Sequence, residues 1–216
     1  MIKLSKPGKM PCKSWSLQAI ETCPGSIGPD GNLVPACQGC YATDGNYRFK
    51  NVIAPRMHNR DDWKRELWVQ DMVRLIENET HFRWFDSGDA YSVRLARKIL
   101  EVMRLTPGTR HWLPTRMWKF VKFEPVLAAM NALPNVVVRF SSDDIHGERV
   151  PGRFTSVIFD PADAAQARDA HICPAYKQDG KCGDCRACWD RDVPVIGYPQ
   201  HGRKMARVNR LQLEIK

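Results

Sequence analysis

The chain has 216 residues, of which 43% are hydrophobic, with seven Trp and eight Phe, a composition that indicates a folded globular protein and excludes intrinsic disorder. Its formal net charge of +9 favours a polyanionic partner such as nucleic acid, or an anionic cofactor. No apolar run reaches the roughly 18 residues of a membrane span and the N-terminus lacks a secretory signal, so we expect a cytoplasmic protein with no membrane partner.

The first half of the chain alternates between strand-like and helix-like segments. Residues 14–20 are a first strand candidate. Apolar residues recur at helical spacing over 61–79, which predicts one helix there, and 82–85 follow as a short aromatic strand. A second helix is predicted over 92–104, because its apolar residues share one face and Pro107-Gly108 ends it.

The alternation continues in the second half, with a strand at 111–115, a helix at 120–133 and further strands at 136–140, 156–159 and 193–196. Strands that alternate with helices predict a parallel sheet. Six strand candidates are too few for a closed eight-stranded barrel, so we predict an α/β fold with an open, partial (β/α) barrel of about six mostly parallel strands. A doubly wound sheet is the alternative.

The chain is predicted to be a single domain over 1–216, because no linker rich in Gly or Ser divides it. Residues 13–165 would form the partial barrel, and 166–216 a cysteine-rich metal-binding segment with a basic tail. Polar loops follow the strands, and the carboxyl ends of parallel strands are where such sheets bind ligands. These loops contain Cys23, Ser87-Gly88-Asp89, Thr115-Arg116 and Ser141-Ser142-Asp143-Asp144.

Four of the eight cysteines lie close together near the C-terminus, at Cys173, Cys182, Cys185 and Cys188. Steps of three residues allow a tight loop to place its thiolates around an iron–sulfur cube, and Cys173-Pro174 can supply the fourth ligand. Clustered cysteines in a reducing compartment more often bind metal than form disulfides. We therefore predict a [4Fe-4S] cluster here, with zinc as the alternative metal, since four thiolates also satisfy tetrahedral zinc.

A second cysteine group consists of Cys23, Cys37 and Cys40. Three thiolates on a four-iron cluster leave one iron open to another ligand. Cys12 could instead complete a closed structural site with these three. The sequence thus predicts one or two [4Fe-4S] clusters, and the N-terminal group is where chemistry is expected.

The run Cys37-Gln38-Gly39-Cys40-Tyr41 resembles the cluster loop of radical S-adenosylmethionine (SAM) enzymes, although those usually have three residues between their first two cysteines where this chain has thirteen. Ser87-Gly88-Asp89 resembles the motif of the same superfamily that meets the amino group of SAM. With Thr115-Arg116 and the C-terminal cysteines, these motifs are similar to a bacteriophage family, the gene product eighty-eight family, which is regarded as radical-SAM-like.

That resemblance implies a protein of the bacterial host cytoplasm that binds SAM at its N-terminal cluster. Ser87, Gly88, Asp89, Tyr41 and Arg116 would be the cofactor-binding residues, and the C-terminal cysteines would hold an auxiliary cluster. The expected function is reductive cleavage of SAM to start radical chemistry on an unknown substrate. The alternative is a non-catalytic iron–sulfur or zinc protein that binds nucleic acid through a basic surface.

Overall fold

An eight-stranded, mostly parallel open sheet organises the chain in the computed structural model, which describes residues 1–202 and 204–207. The strand order is β1-β2-β3-β4-β5-β6-β8-β7; β1 is antiparallel to β2 and every other pair is parallel. The strands are β1 (Leu4–Ser5), β2 (Lys13–Trp15), β3 (His81–Trp84), β4 (Arg110–Thr115), β5 (Val136–Ser141), β6 (Thr155–Phe159), β7 (His171–Ile172) and β8 (Val195–Pro199).

The mixed α/β class is confirmed, whereas the predicted number of about six strands is wrong. All six strand candidates correspond to observed strands, β2 to β6 and β8. The two additional strands, β1 and β7, have two residues each and form the two edges of the sheet. Two residues are too few to show an alternating pattern, so these strands could not be recognised from the sequence.

Five α-helices are described: α1 (Pro35–Gln38), α2 (Lys50–Asp62), α3 (Trp68–Ile76), α4 (Val93–Leu105) and α5 (Glu124–Ala132). The single helix predicted over 61–79 is wrong, because α2 ends and α3 begins within that range. Lys98 of α4 donates hydrogen bonds from Nζ to the carbonyl oxygens of Trp63 and Arg65 at 3.0 and 2.5 Å. These two carbonyls are therefore engaged by another helix, a tertiary contact that periodicity does not reveal.

The two faces of the sheet are covered differently. Alternate strand residues such as Phe82, Trp84, Leu113 and Val138 enter the main hydrophobic core with side chains of α3, α4 and α5. The intervening residues lie on the other face, where Arg139 of β5 contacts the cysteine-rich segment. Because successive strand residues point to opposite faces, one face is a hydrophobic core and the other is available for a site.

The predicted division at residue 165 stays a prediction, and most of the predicted basic tail lies outside the described residues, which omit Arg203 and 208–216. Within the part that is described, no helix is long and apolar enough to cross a membrane.

A buried histidine connects two strands to the core. His111 is completely buried and stacks on Trp84, whose Nε1 donates a hydrogen bond to His111 Nδ1 at 3.3 Å. His111 Nε2 lies 3.0 Å from the hydroxyl of Thr106. Since Nδ1 accepts, the ring is neutral with its proton on Nε2, and burial lowers the pKa of His111 to about 4.

We expect His111 to make the protein less stable in mild acid. The unfolded chain gains a proton on this residue below about pH 6.5, whereas the folded protein resists it until about pH 4. The stabilising contribution is complete above pH 6.5 and is lost as the pH falls through this window, by about 3 kcal/mol. Urea unfolding of the wild type and of His111→Gln at pH 7 and pH 4 should show a steeper loss in the wild type; parallel losses would contradict this assignment.

Candidate metal centre

One cavity of about 490 Å³ brings the two cysteine groups together. It lies at the carboxyl ends of β2, β3 and β4 and extends over the face of the sheet that the helices leave open. Six cysteines line it: Cys23, Cys37, Cys40, Cys173, Cys182 and Cys188. Two sets of thiols that are far apart in the sequence therefore face the same space.

The N-terminal thiols are placed by three short segments. Cys23 ends the loop after β2, Cys37 lies in α1, and Cys40 follows that helix. The amide of Ala36 donates a hydrogen bond to the carbonyl oxygen of Asp143 at 2.9 Å. This bond fixes α1 against the loop that follows β5, so the position of Cys37 depends on the sheet.

These three thiols also affect one another electrostatically. Burial raises the pKa of the Cys23 thiol to about 12, and the nearby Asp89 carboxylate adds to this, as do Cys37 and Cys40. Burial likewise raises the pKa of Cys37, although Arg116 opposes the shift. Cys23 and Cys37 are therefore protonated at neutral pH without a metal, and a bound metal would have to displace their protons.

The C-terminal thiols form a second group around Tyr198. The Cys188 sulfur lies 3.4 Å from the Tyr198 hydroxyl, and burial raises the pKa of Cys188 to about 11. Burial raises the pKa of Cys182 as well, with Cys173 and Cys185 contributing. Cys185 differs from the other three in that it does not line the cavity; its sulfur lies 3.4 Å from His171 Nε2.

Cys12 lies with the C-terminal group. It is buried in a cluster that includes Cys182, and the charge on Cys182 contributes to raising its pKa to about 11, after the larger effect of burial. The backbone amide of Cys182 donates to the carbonyl of Lys9 at 2.8 Å, which attaches the cysteine loop to the N-terminal segment. The alternative in which Cys12 completes the N-terminal trio thus has no support in this arrangement.

The loop Ser87-Gly88-Asp89 lines the cavity, and its two polar side chains form internal hydrogen bonds. Ser87 Oγ donates to the carbonyl of Leu17 at 2.7 Å. Asp89 is buried and accepts hydrogen bonds from Thr115 Oγ1 at 2.7 Å and from the amide of Arg116 at 2.9 Å. Asp89 therefore connects the loops that follow β3 and β4, while direct contact between these residues and SAM stays a prediction.

Gly88 has no room for a side chain. Its φ is +80°, and a Cβ there would lie 2.6 Å from Leu17 Cβ and 2.7 Å from Thr22 Oγ1. We expect Gly88→Ala to lower the free energy of unfolding by about 3 kcal/mol, from left-handed strain together with overpacking. Gly108→Ala is the matched control, because a Cβ at Gly108 meets no atom within 4 Å. Urea unfolding of both variants tests this, and equal losses would contradict it.

The predicted cofactor residues Arg116 and Tyr41 are both held by hydrogen bonds to loops at the cavity. Arg116 donates from Nε to Asp143 Oδ1 at 3.2 Å and from NH2 to the carbonyl of Ser142 at 2.7 Å. The Tyr41 hydroxyl donates to the carbonyl of Asp86 at 2.7 Å. Both residues line the cavity, and both are held by the loops after β3 or β5.

The strands themselves also contribute cavity residues that were not predicted as site residues. Among these, Arg83 of β3, Trp112 of β4 and Tyr198 of β8 line the cavity from the open face of the sheet. Tyr198 lies beyond the strand predicted at 193–196 but inside β8. The alternation within each strand could have indicated these positions, had it been known which face is open.

Arg139 has a structural role that the sequence did not indicate. It is completely buried, and its guanidinium donates hydrogen bonds to the carbonyl oxygens of Ala187, Cys188, Asp190 and Pro194 at 2.8 to 3.3 Å. These carbonyls belong to the segment that contains and follows the last cysteine. A strand residue on the open face thus fixes the C-terminal cysteine loop to the sheet.

The donor set fits iron–sulfur ligation in its chemistry. All eight cysteines are free thiols, and three from each group, without Cys185, supply sulfur donors to the cavity. Thiolates are the ligands of four-iron clusters. Within residues 1–202 and 204–207 no group of three or more His, Cys, Asp or Glu side chains is close enough to hold a single metal ion.

A family model for Gene product 88 matches residues 2–191, which include both cysteine groups, the cavity loops and seven of the eight strands. The chain belongs to the Gene product 88 family. The resemblance to a phage gene-product family is thereby confirmed. No curated protein and no solved structure is detectably similar to this Gene product 88 family member.

Proposed function

We propose that this protein is a radical-SAM-like iron–sulfur protein whose N-terminal cluster binds and reductively cleaves SAM. The observation that carries the proposal is the placement of the two thiol groups at one cavity at the carboxyl ends of the strands: all three N-terminal thiols and three of the four C-terminal thiols line it. Ligands bind at that edge in parallel α/β folds, and a three-thiol centre leaves a coordination position for a cosubstrate.

Cys23, Cys37 and Cys40 would hold the first cluster, and Cys173, Cys182, Cys185 and Cys188 the second. When bound, a reduced four-iron cluster with an open iron supplies the electron that cleaves SAM to methionine and a 5′-deoxyadenosyl radical, which removes a hydrogen atom from a substrate. The chain's own contribution is to position the ligands and to limit the access of water.

The loops after β2, β3 and β4 would provide the SAM site. Gly88 allows its loop to pack closely against Leu17 and Thr22, which belong to the loop that leads to Cys23. The Arg116 amide donates a hydrogen bond to the Asp89 carboxylate at 2.9 Å, and this bond fixes the loops after β3 and β4 relative to each other. Tyr41 is next to Cys40, and its anchored hydroxyl limits the movement of the cluster loop.

The test is reductive cleavage of SAM by anaerobically purified protein. Dithionite-reduced protein incubated with SAM should release 5′-deoxyadenosine, measured by liquid chromatography against a sample without protein. Absence of release together with absence of SAM binding would leave the non-catalytic interpretation as the better one.

The net charge of +9 is the observation that favours that second candidate, a protein that binds nucleic acid and uses its metal centres for stability. Binding to DNA or RNA should then weaken steeply as salt increases, since phosphate contacts release counterions. No binding at low salt would exclude this candidate.

A further inference from the structure

Arg83 is a cavity residue whose charge has no acidic partner. Among the described residues, no Asp or Glu oxygen lies within 4.0 Å of its guanidinium. The nearby acid Asp86 is already occupied, by Arg56 NH2 at 3.0 Å and by the hydroxyls of Ser16 and Tyr47. Arg83 therefore differs from Arg56 and Arg116, which both face carboxylates.

The hydrogen-bonding capacity of Arg83 is also largely unused. Its Nε is buried without a partner. Among residues 1–202 and 204–207, its NH2 reaches only the Tyr41 hydroxyl, at 3.4 Å, and its NH1 only the sulfur of Met10, at 3.8 Å. A guanidinium has five N–H donors in a planar fork, so most of them lack an oxygen acceptor. Arg83 is half-buried and faces the cavity, so water serves its unpaired N–H groups in the free protein, and a ligand oxyanion would replace that water.

The surroundings of Arg83 fix it on the wall of the cavity. Its guanidinium carbon lies 4.5 Å from the centre of the Trp112 ring, and its NH2 contacts Tyr41, the residue after Cys40. The positive charge of Arg83 opposes the rise that burial causes in the pKa of Cys182 and Cys188, which belong to the C-terminal group. A ligand held by Arg83 would consequently lie close to that group and to Tyr41.

We infer that Arg83 binds an oxyanion of the substrate, a carboxylate or a phosphate, and so selects anionic small molecules for the cavity. The planar fork matches both groups in a two-point contact. The cavity volume of about 490 Å³ is within the usual range for small-molecule sites. The inference rests on the proposed function in one respect: it takes this cavity to be the reaction site.

Anion titration of the anaerobic holoprotein tests the inference. Inorganic phosphate and acetate are titrated separately by isothermal calorimetry at constant ionic strength, and SAM forms a third arm. We expect saturable binding of phosphate or of acetate, and the one that binds identifies the class. Arg83→Met should weaken that binding at least tenfold, and Arg83→Lys by a smaller factor. Arg60→Met removes the same charge from an exposed residue that pairs with Glu21, and should leave binding unchanged.

Three outcomes would overturn the inference. They are absence of saturable anion binding by the wild type, equal binding by Arg83→Met, and loss of iron from Arg83→Met with anion binding intact, which would mean that Arg83 serves the thiolates. If Arg83→Met weakens the binding of SAM and of neither phosphate nor acetate, Arg83 binds an oxyanion of SAM, and the inferred class of substrate is wrong. Iron, sulfide and 5′-deoxyadenosine are measured on the same preparation, so failure of the proposed function is detected independently.

Discussion

Replacing Arg139 by methionine is expected to lower the free energy of unfolding by about 4 kcal/mol, because four carbonyl oxygens, in one buried and three partly buried hydrogen bonds, lose a charged donor at once. Methionine has a similar length but no donor. The same change should free the loop that contains Cys188 from β5. The C-terminal metal content should therefore fall while the N-terminal content is retained.

Urea unfolding and metal analysis measure the two effects. Asn135→Ala is a control, since Asn135 also donates to backbone carbonyls, those of Met103, Thr106 and Thr109, and neither it nor they belong to the cysteine segment. It should destabilise the fold and keep the C-terminal metal. Should Arg139→Met not fold, Arg139→Lys retains the charge without the fork and should show an intermediate loss. Full metal content in either Arg139 variant would contradict the role of Arg139.

The second large effect is expected at the N-terminal thiols. Cys40→Ala should reduce 5′-deoxyadenosine release to the level of the reaction without protein, because it removes one of only three protein ligands from the centre that binds SAM. The C-terminal centre should remain, since its cysteines come from a different segment.

Cys12→Ala provides the control for this experiment. Cys12 is a buried thiol beside Cys182 that belongs to neither proposed ligand set. The variant should retain both the iron content and the cleavage of SAM. Cleavage that survives in Cys40→Ala, or iron that is lost in Cys12→Ala, would contradict the assignment of ligands.

The order and type of most elements could be predicted from the sequence, because β3 to β6 each have enough residues to show a strand pattern. The break between α2 and α3 could not, since it depends on Lys98 from another helix. The strands β1 and β7 could not either, because two residues show no pattern.

The cysteine groups themselves could be recognised from their spacing, but their meeting at one cavity could not. Strands β3 to β7 lie between Cys40 and Cys173 in the sequence, and only the parallel arrangement of the strands brings the two cysteine loops together. Arg83 illustrates the same limit. Nothing in the run 82–85 distinguishes it as a site residue, and its importance depends on the absence, among the described residues, of a nearby unoccupied carboxylate.

Asp89 shows why a motif alone does not define a role. The resemblance implies that Asp89 meets SAM, which stays a prediction, and the fold places its carboxylate among Ala90, Thr115 and Arg116, each of which donates a hydrogen bond to it. Its burial raises its pKa, and these donors oppose that shift. Whether the Asp89 carboxylate bonds to these internal donors or to a ligand depends on three-dimensional packing, which the motif does not reveal.

Iron and acid-labile sulfide analysis of anaerobically purified protein tests the central claim most directly. Two four-iron clusters predict about eight iron and eight sulfide per chain. A variant with Cys23, Cys37 and Cys40 all changed to Ala should retain about half of each, as should a variant with Cys173, Cys182, Cys185 and Cys188 changed. A colourless wild-type protein that contains zinc and no sulfide would contradict the claim.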